Sequence, residues 1–247
     1  LAVRGLSLAR QDQFGTDLAD IGFEVRAGEI VGVAGVSGNG QSELLAWLAG
    51  LRVPQHGEMR LRTPDGGWSV SDAKHPVGPH TLRQLGVAHV PEDRHRLGLV
   101  LGFAAWESAA LGYVDDPAIR HGPLLSPEAM RAQCRRMMDE FDVRPRDAEL
   151  GSARFSGGNQ QKLILAREFR RRPRVLLIGQ PTRGVDIGAI EFIHRRIGEL
   201  RDVGCAVLLV STELDEILAL ADRIVVMSAG RISGTLLRDE ANERRLG

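Results

Sequence analysis

The chain is poor in cysteine and shows no surplus of either charge. Cys134 and Cys205 are its two cysteines, without CxxC spacing or a neighbouring histidine cluster. This predicts two reduced thiols rather than a disulfide or a metal site. Lys and Arg number 32, as do Asp and Glu, so the formal net charge is zero. A surface that tracks phosphates usually shows a basic excess, so we expect no nucleic-acid partner.

The sequence also lacks a long hydrophobic run. A membrane-spanning helix needs about 20 apolar residues, whereas uninterrupted runs such as Ala206 to Val210 have the length of a buried strand. No signal peptide opens the chain. We therefore expect any membrane association to pass through a protein partner. Because the first residue is Leu1 rather than Met, we also expect the chain to be part of a longer polypeptide.

Hydrophobic residues make up 43% of the chain, which supports a sizeable core. Residues 20–26 alternate polar and apolar side chains, which predicts a half-buried antiparallel strand near the N-terminus. Short apolar segments typical of buried parallel strands follow at 29–34, 86–90, 175–178, 206–210 and 224–227. Helical patterns separate them, at 43–51, 187–202 and 214–221. This order predicts an α/β fold whose mainly parallel sheet carries antiparallel N-terminal strands.

Residues 98–156 differ from the rest because they are rich in Arg and Met and show no strand pattern. Helices are predicted at 106–113 and at 126–141, the second opened by a capping Ser126 and by Pro127. We expect these residues to form a helical subdomain inserted into a single domain that spans residues 1–247.

A glycine-rich loop follows the first buried strand and opens a helix, which is the context of a phosphate-binding loop with the pattern GxxxxGK(S/T). The glycines allow the backbone N–H groups to wrap a phosphate at the helix start, and the Ser42 hydroxyl suits Mg²⁺. Glutamine stands at position 41, where the pattern has lysine. A glycine-rich turn without a ligand is the alternative interpretation. The candidate nucleotide-binding residues in and beside this loop are Gly35, Val36, Ser37, Gly38, Asn39, Gly40, Gln41, Ser42 and Glu43.

The segment 155–162, Phe-Ser-Gly-Gly-Asn-Gln-Gln-Lys, resembles the signature motif LSGGQ of ATP-binding cassettes. Segments 176–186 and 207–216 resemble the acidic strand with its D-loop and the switch region of the same family, and the likeness runs from about Leu1 to Thr235. The resemblance implies a P-loop NTPase-type fold, ATP and Mg²⁺ as cofactors, and a single nucleotide-binding domain. It assigns the signature to Ser156, Gly157, Gly158, Asn159 and Gln160, and the D-loop aspartate to Asp186.

Four segments narrow the resemblance: 38–44, Val-Pro-Glu-Asp-Arg at 90–94, Gly-Gly-Asn-Gln-Gln-Lys at 157–162 and Gln-Pro-Thr-Arg-Gly-Val-Asp at 180–186. Together they are similar to the second cassette of tandem ATPase subunits of simple-sugar and nucleoside importers. This implies a second cassette as partner, in the N-terminal half of the same polypeptide, and transmembrane permease subunits. The expected location is the cytoplasmic face of the cell membrane, as a peripheral protein.

Several catalytic positions depart from the family pattern. Gly179 stands at the position of the Mg²⁺-supporting aspartate, and Gln180 at that of the glutamate that polarises the attacking water. Thr212 replaces the switch histidine, and Glu92 replaces the Q-loop glutamine. An amide cannot accept a proton from water, and loss of a general base costs about 10²–10⁴-fold in rate. The isolated domain is therefore expected to have little or no ATPase activity.

The resemblance implies that two cassettes face each other, so that the signature of this chain completes the competent phosphate site of its partner. A non-catalytic regulatory nucleotide-binding module remains the alternative. A soluble cassette protein of DNA repair or translation is a third interpretation, but the sequence shows none of the zinc fingers, coiled coils or basic surfaces of such proteins. Phe14 is expected to pack in the core or at a sheet edge rather than to stack on adenine. Phe103 and Trp106 are candidates for permease docking, with core packing as the alternative for Trp106.

Overall fold

The computed structural model describes residues 1–241, which form twelve strands and seven α-helices. The strands are β1 Ala2–Leu8, β2 Leu18–Glu24, β3 Ile30–Ala34, β4 His56–Arg62, β5 Trp68–Asp72, β6 Val87–Val90, β7 Arg120–His121, β8 Leu124–Leu125, β9 Val175–Gly179, β10 Ala206–Val210, β11 Arg223–Ser228 and β12 Arg231–Leu237. The helices are α1 Gln41–Leu48, α2 Pro79–Gln84, α3 Ala105–Ser108, α4 Pro127–Glu140, α5 Gly157–Phe169, α6 Ile187–Asp202 and α7 Leu214–Leu220.

The described residues separate into two compact units. Unit 1 comprises residues 1–92, 173–180 and 196–241, and unit 2 comprises residues 93–172 and 181–195. Unit 2 contains the whole segment predicted as a helical subdomain. Within residues 1–241, no helix combines the length and the hydropathy that a bilayer span requires.

Unit 1 carries a six-stranded sheet with the order β12-β11-β3-β10-β9-β6, in which every pairing except β11 with β12 is parallel. Strands β3, β9 and β10 are buried along their whole length, which agrees with their continuous apolar sequences. A four-stranded antiparallel sheet with the order β2-β1-β4-β5 completes the strands of unit 1. The α/β class and the antiparallel N-terminal strands are therefore confirmed.

The parallel register brings the carboxyl ends of four strands to one edge. Val210 pairs with both Val33 and Gly179, and Ile178 pairs with Val90. The loops that follow β3, β6, β9 and β10 therefore start side by side. In open α/β sheets this edge is where ligands bind.

Unit 2 is mainly helical. Ser126 caps α4 by accepting a hydrogen bond from the Ala129 N–H at 3.2 Å, as predicted. Phe141 packs edge-on against Phe169 of α5 and Phe192 of α6, with ring centroids 6.1 and 5.7 Å apart. Two expectations need correction. The helix predicted at 106–113 spans only Ala105–Ser108, and the short β7–β8 hairpin lies in a segment for which the sequence shows no strand pattern.

A buried charged network holds α5 within unit 2. Arg167 donates to the Gly98 and Ser108 carbonyl oxygens at 2.8 and 3.0 Å, and its Nε donates to Glu168 at 2.8 Å. The Tyr113 hydroxyl donates to the other oxygen of Glu168 at 2.6 Å. Because every member has hydrogen-bond partners, two buried charges are tolerated here.

Candidate functional site

The glycine-rich loop lies between β3 and α1 at the carboxyl edge of the sheet. Gly40 precedes α1 in the left-handed conformation, with φ of 102°. Gly35 has a φ of 148°, and a Cβ there would come within 2.5 Å of the Met227 carbonyl oxygen. Both positions therefore require glycine. The N–H groups of the first turn of α1 have no acceptor within the helix, so they face the space that the loop encloses.

Asn39 fastens the loop to the turn between β11 and β12. Its side-chain oxygen accepts from the Ala229 N–H at 2.7 Å, and its carbonyl oxygen accepts from the Gly230 N–H at 3.1 Å. These two hydrogen bonds therefore connect the loop to the turn between β11 and β12.

Gln41 bonds to the backbone of its own loop. Its side chain is 5% exposed, its Oε1 accepts from the Asn39 N–H at 3.1 Å, and its Nε2 donates to the Val36 carbonyl oxygen at 3.2 Å. Position 41 therefore offers a phosphate no positive charge. The Asn39 N–H, a candidate donor to phosphate, already donates to Gln41.

Glu92 approaches this loop from the end of β6. The exposed hydroxyl of Ser42 donates to Glu92 Oε2 at 2.5 Å. Glu92 also occupies the space beside Gly179, the last residue of β9. A Cβ at Gly179 would meet Glu92 Cγ, Leu45 Cδ1 at 2.8 Å and the Glu92 backbone nitrogen at 3.2 Å. Position 179 therefore cannot carry a side chain while Glu92 keeps its place.

Gln180 and Thr212, which the resemblance predicts at the positions of the catalytic glutamate and the switch histidine, bond to each other. Gln180 Oε1 accepts from the Thr212 N–H at 3.3 Å and from the Thr212 hydroxyl at 3.2 Å. Gln180 is 8% exposed and adopts a φ of 48°, and its own N–H donates to the Val210 carbonyl oxygen at 2.8 Å. Neither side chain provides a group that can accept a proton from water at neutral pH.

The donor set fits a divalent cation that arrives with a phosphate. The described part of the chain has no group of three His, Cys, Asp or Glu that could hold a metal ion by itself. Mg²⁺, however, is usually held by one or two carboxylates together with phosphate oxygens and water. Glu92 supplies such a carboxylate, and Ser42 supplies a hydroxyl beside it.

Phe14 precedes the Thr16 contact with the loop. The Thr16 hydroxyl donates to the Gly38 carbonyl oxygen at 2.5 Å, and the Thr16 N–H donates to Glu43 at 3.0 Å. The Phe14 side chain is 87% exposed. The expectation of core or edge packing is therefore wrong, because an almost fully exposed ring packs against neither. The ring remains available to an aromatic ligand.

The signature segment lies in unit 2, at the start of α5. Ser156 caps this helix, and its hydroxyl accepts from the Asn159 N–H at 3.4 Å and from the Asn159 side-chain amide at 2.9 Å. Gly157 and Gly158 follow in the first turn, where N–H groups without helical acceptors favour an anion. Gln160 faces the interior of the unit, since it donates to the Ser152 carbonyl oxygen at 3.0 Å and pairs with His95 at 2.8 Å.

Arg94 is a site residue that the sequence does not identify, because it stands in a short basic run typical of a solvated face. Its Nη1 donates to the Arg183 carbonyl oxygen at 2.9 Å. Its Nη2 lies against Gly157, where a Cβ would approach it to 2.6 Å. On the other side of the signature, a Cβ at Gly158 would come within 3.3 Å of Asp186 Oδ2. Both signature glycines therefore stand where side chains would meet the segment 183–186 or Arg94.

The two cysteines lie inside the protein and form no disulfide. Burial raises the pKa of the Cys134 and Cys205 thiols to about 12. Both thiols are therefore neutral at pH 7.

The chain is 43% identical over 228 residues to the nucleoside import ATP-binding protein NupA of Lactococcus lactis subsp. cremoris, an alignment that covers 92% of this chain and 43% of that protein. It is 42% identical over 249 residues to the guanosine import ATP-binding protein NupO of Bacillus subtilis, an alignment that covers 100% of this chain and 47% of that protein. It is 39% identical over 246 residues to the ribose import ATP-binding protein RbsA 2 of Rubrobacter xylanophilus, an alignment that covers 100% of this chain and 44% of that protein. The chain thus spans about half the length of these relatives.

Among solved structures, the fold is similar to that of one chain of the dimeric ATP-binding cassette MJ0796, in a post-hydrolysis state bound to ADP and phosphate. The TM-score is 0.76 at 20% identity, over 96% of this chain and 98% of that one. At this identity the likeness concerns the fold alone. A sequence model of the ABC transporter family matches residues 18–183, which is more than half of the chain. The chain therefore belongs to the ABC transporter family.

Proposed function

We propose that this chain is an ATP-binding cassette of an importer for sugar-like or nucleoside-like solutes. Its relatives are named as import ATP-binding proteins for nucleosides, guanosine and ribose, and they are about twice its length. In this proposal the chain is the second cassette of a tandem subunit. It works on the cytoplasmic face of the membrane, as a peripheral partner of transmembrane permease subunits.

In this proposal the phosphate loop and the signature segment of the chain serve two different nucleotide sites. The phosphate loop of unit 1 binds ATP with Mg²⁺, and Ser42 and Glu92 hold the cation that neutralises the phosphates. The signature of unit 2 completes the phosphate site of the facing cassette through Ser156, Gly157 and Gly158. The observation that carries this division is the Gln180–Thr212 pair, because the two positions that should activate water satisfy each other instead.

A permease contact is proposed at a run of exposed apolar side chains in unit 2. The run follows β6 and comprises Leu97, Val100, Leu101 and Phe103. Trp106 is less suited to docking, since its ring packs beside Ala110, Ile119 and Met130, its Nε1 donates to Glu149 at 3.2 Å, and the Arg131 guanidinium lies 4.6 Å from the ring centre. Crosslinking of the Phe103→Cys variant, through its introduced thiol, to the permease in an active complex tests this contact. Failure of cysteine substitutions at Leu97, Val100 and Phe103 alike counts against it.

The decisive experiment compares two variants in the assembled transporter. In Gly157→Asp a side chain meets Arg94 at 2.6 Å and the Gly184 carbonyl oxygen at 3.2 Å, and it brings a carboxylate to the proposed γ-phosphate position. We expect loss of both ATPase activity and uptake. Gln41→Ala removes no catalytic cation, so most activity should remain. The matched control is Gly198→Asp, where an added Cβ meets no atom within 4 Å.

The same comparison separates the importer from the alternative, a non-catalytic regulatory module. The hydrogen-bonded Gln180–Thr212 pair is compatible with a transport role and with a regulatory role of the nucleotide that this chain binds. A regulatory module predicts that Gly157→Asp leaves the ATPase activity of the assembly intact and alters only its response to nucleotide. Equal damage by Gln41→Ala and Gly157→Asp would contradict the division of labour proposed here.

A further inference from the structure

We propose that Asn159 is a positioning residue that turns the Ser156 hydroxyl outward, so that it donates a hydrogen bond to a phosphate of the facing cassette's nucleotide. The inference rests on the proposed function, since it requires the signature segment to serve that nucleotide. It gives a role to the asparagine that stands where the signature motif has glutamine.

The orientation of the Asn159 amide is set by the backbone of Arg144. The Arg144 N–H donates to Asn159 Oδ1 at 2.7 Å. A backbone N–H cannot accept a hydrogen bond, so the oxygen of the amide faces Arg144 and the NH₂ group faces the other way. That NH₂ group lies 2.9 Å from Ser156 Oγ and can only donate. Ser156 Oγ is therefore the acceptor of this hydrogen bond.

Ser156 accepts a second hydrogen bond from the same residue, because the Asn159 backbone N–H donates to Ser156 Oγ at 3.4 Å. A hydroxyl oxygen has two acceptor lone pairs and one O–H, so Asn159 occupies both acceptor positions. Within residues 1–241, no group accepts a hydrogen bond from this hydroxyl. The O–H therefore points away from Asn159, and the exposed side chain of Ser156 presents it to a ligand.

The direction of this proton matters because an ionised phosphate oxygen can only accept a hydrogen bond. A hydroxyl that rotates freely presents a lone pair to the phosphate part of the time, and a lone pair beside an anion is repelled. The two donors of Asn159 exclude those orientations before the ligand arrives. Donors that are oriented in advance stabilise an anion without a cost of reorganisation. Ser156 then acts together with the N–H groups of Gly157 and Gly158, which also only donate.

The variant Asn159→Asp separates the orientation of Ser156 from the stability of the fold. The carboxylate keeps an acceptor for the Arg144 N–H, and an acid in the first turn of a helix is stabilising. The melting temperature of the 247-residue chain should therefore stay the same or rise. The carboxylate has no N–H for Ser156 and accepts its hydroxyl proton instead. We expect kcat for ATP hydrolysis by the assembled transporter to fall roughly tenfold or more, whereas a purely structural role of Asn159 predicts an unchanged kcat.

Two controls test whether the negative charge of the new carboxylate causes the loss. Thr81→Asp places the same charge at the exposed third residue of helix α2 and should leave kcat unchanged. A double-mutant cycle uses Asn159→Ala, which adds no charge. We expect Asn159→Ala to lower kcat roughly 2–10-fold beside Ser156, and not at all in a Ser156→Ala background, where no hydroxyl remains to be oriented. Equal losses in both backgrounds overturn the inference.

The outcomes also separate this inference from the proposed function. If Ser156→Ala leaves the ATPase activity of the assembled transporter unchanged, the signature does not serve a phosphate, and the proposed division and the inference fail together. If Ser156→Ala lowers kcat while both Asn159 variants keep the activity of the wild type, the signature retains its proposed role and the orientation by Asn159 is refuted.

Discussion

Restoring the missing glutamate alone should not restore hydrolysis by this chain. In Gln180→Glu, the new carboxylate takes the place of an amide whose Oε1 already accepts two hydrogen bonds from Thr212, at 3.3 and 3.2 Å. The side chain keeps its size and its acceptor atoms, so the fold at this position should survive. The activity of Gln180→Glu therefore depends on how well the new carboxylate accepts a proton from water.

The two donors work against basicity because they stabilise the ionised carboxylate. A hydrogen bond to a charged group contributes about 1.5–3 kcal/mol, and one pKa unit corresponds to about 1.36 kcal/mol. Only the difference between the bonds to the ionised and to the protonated carboxyl shifts the pKa, and a neutral acceptor already gains about 0.5–1.5 kcal/mol. Two long bonds at the low end of the charged range therefore lower the pKa by at most about 1.5 units from the ordinary glutamate value. The optimum for a general base lies near the operating pH, so the restored carboxylate is a weak base.

Two further deficits remain in Gln180→Glu. Gln41 supplies no cation, and its amide is bonded within the loop. Position 179 supplies no carboxylate. We therefore expect a gain of less than about tenfold, against the roughly 10²–10⁴-fold that a positioned general base contributes.

The assay is steady-state phosphate release by the purified 247-residue chain with ATP and Mg²⁺, and Gln180→Ala serves as the background control. An unchanged melting temperature should verify the fold. Turnover of Gln180→Glu near about 1 s⁻¹, in the range of ordinary enzymes, would falsify the reasoning. It would show that the Thr212 donors do not suppress the base.

Three further predictions concern buried or exposed groups. Arg167→Met removes the cation that is paired with the buried Glu168 and should cost about 3–5 kcal/mol in urea unfolding. Arg196→Met, in a partly exposed pair with Glu199, should cost at most about 1 kcal/mol; equal losses would contradict the buried network. Phe14→Ala should weaken nucleotide binding by about 1–3 kcal/mol if the exposed ring stacks on the base, with no change in melting temperature; unchanged affinity removes Phe14 from the site. The pKa of about 12 at Cys134 and Cys205 means that thiolate is scarce below that pH, so both thiols should resist a disulfide reagent at about pH 8 and react after denaturation. Rapid reaction of the native protein is the contrary result.

The buried parallel strands and the long helices are predictable from the sequence because their signal is local. Strand β10 and helix α6 have the predicted bounds, and Ser126 caps α4 as expected. Other elements lack such a signal. Strand β12 alternates between exposed and half-buried residues and owes its conformation to pairing with β11. Strands β4 and β5 likewise lie in a sheet set by long-range pairing with β1.

The candidate site shows the same limit at the level of side chains. The sequence predicts a phosphate loop and a signature segment, since spacing and glycine content are local properties. It does not reveal that Gln41 bonds to Val36 and Asn39, because the direction of a side chain is not encoded in spacing. It also does not show that Arg94 lies against Gly157, since a basic run of three residues is typical of a solvated surface.

The five departures from the family pattern are not five independent losses. Gln180 and Thr212 satisfy each other, Glu92 fills the space that Gly179 leaves, and Gln41 satisfies the loop that it belongs to. A polar group left without a partner in a buried site costs about 1–3 kcal/mol, and these arrangements avoid that cost. A substitution that restores one family residue therefore places a new side chain among neighbours that already complement the present residue. Glutamate at 180 meets two donors, aspartate at 179 meets Glu92, and lysine at 41 must break two hydrogen bonds. We therefore expect that hydrolysis in this site will require these partners to change together.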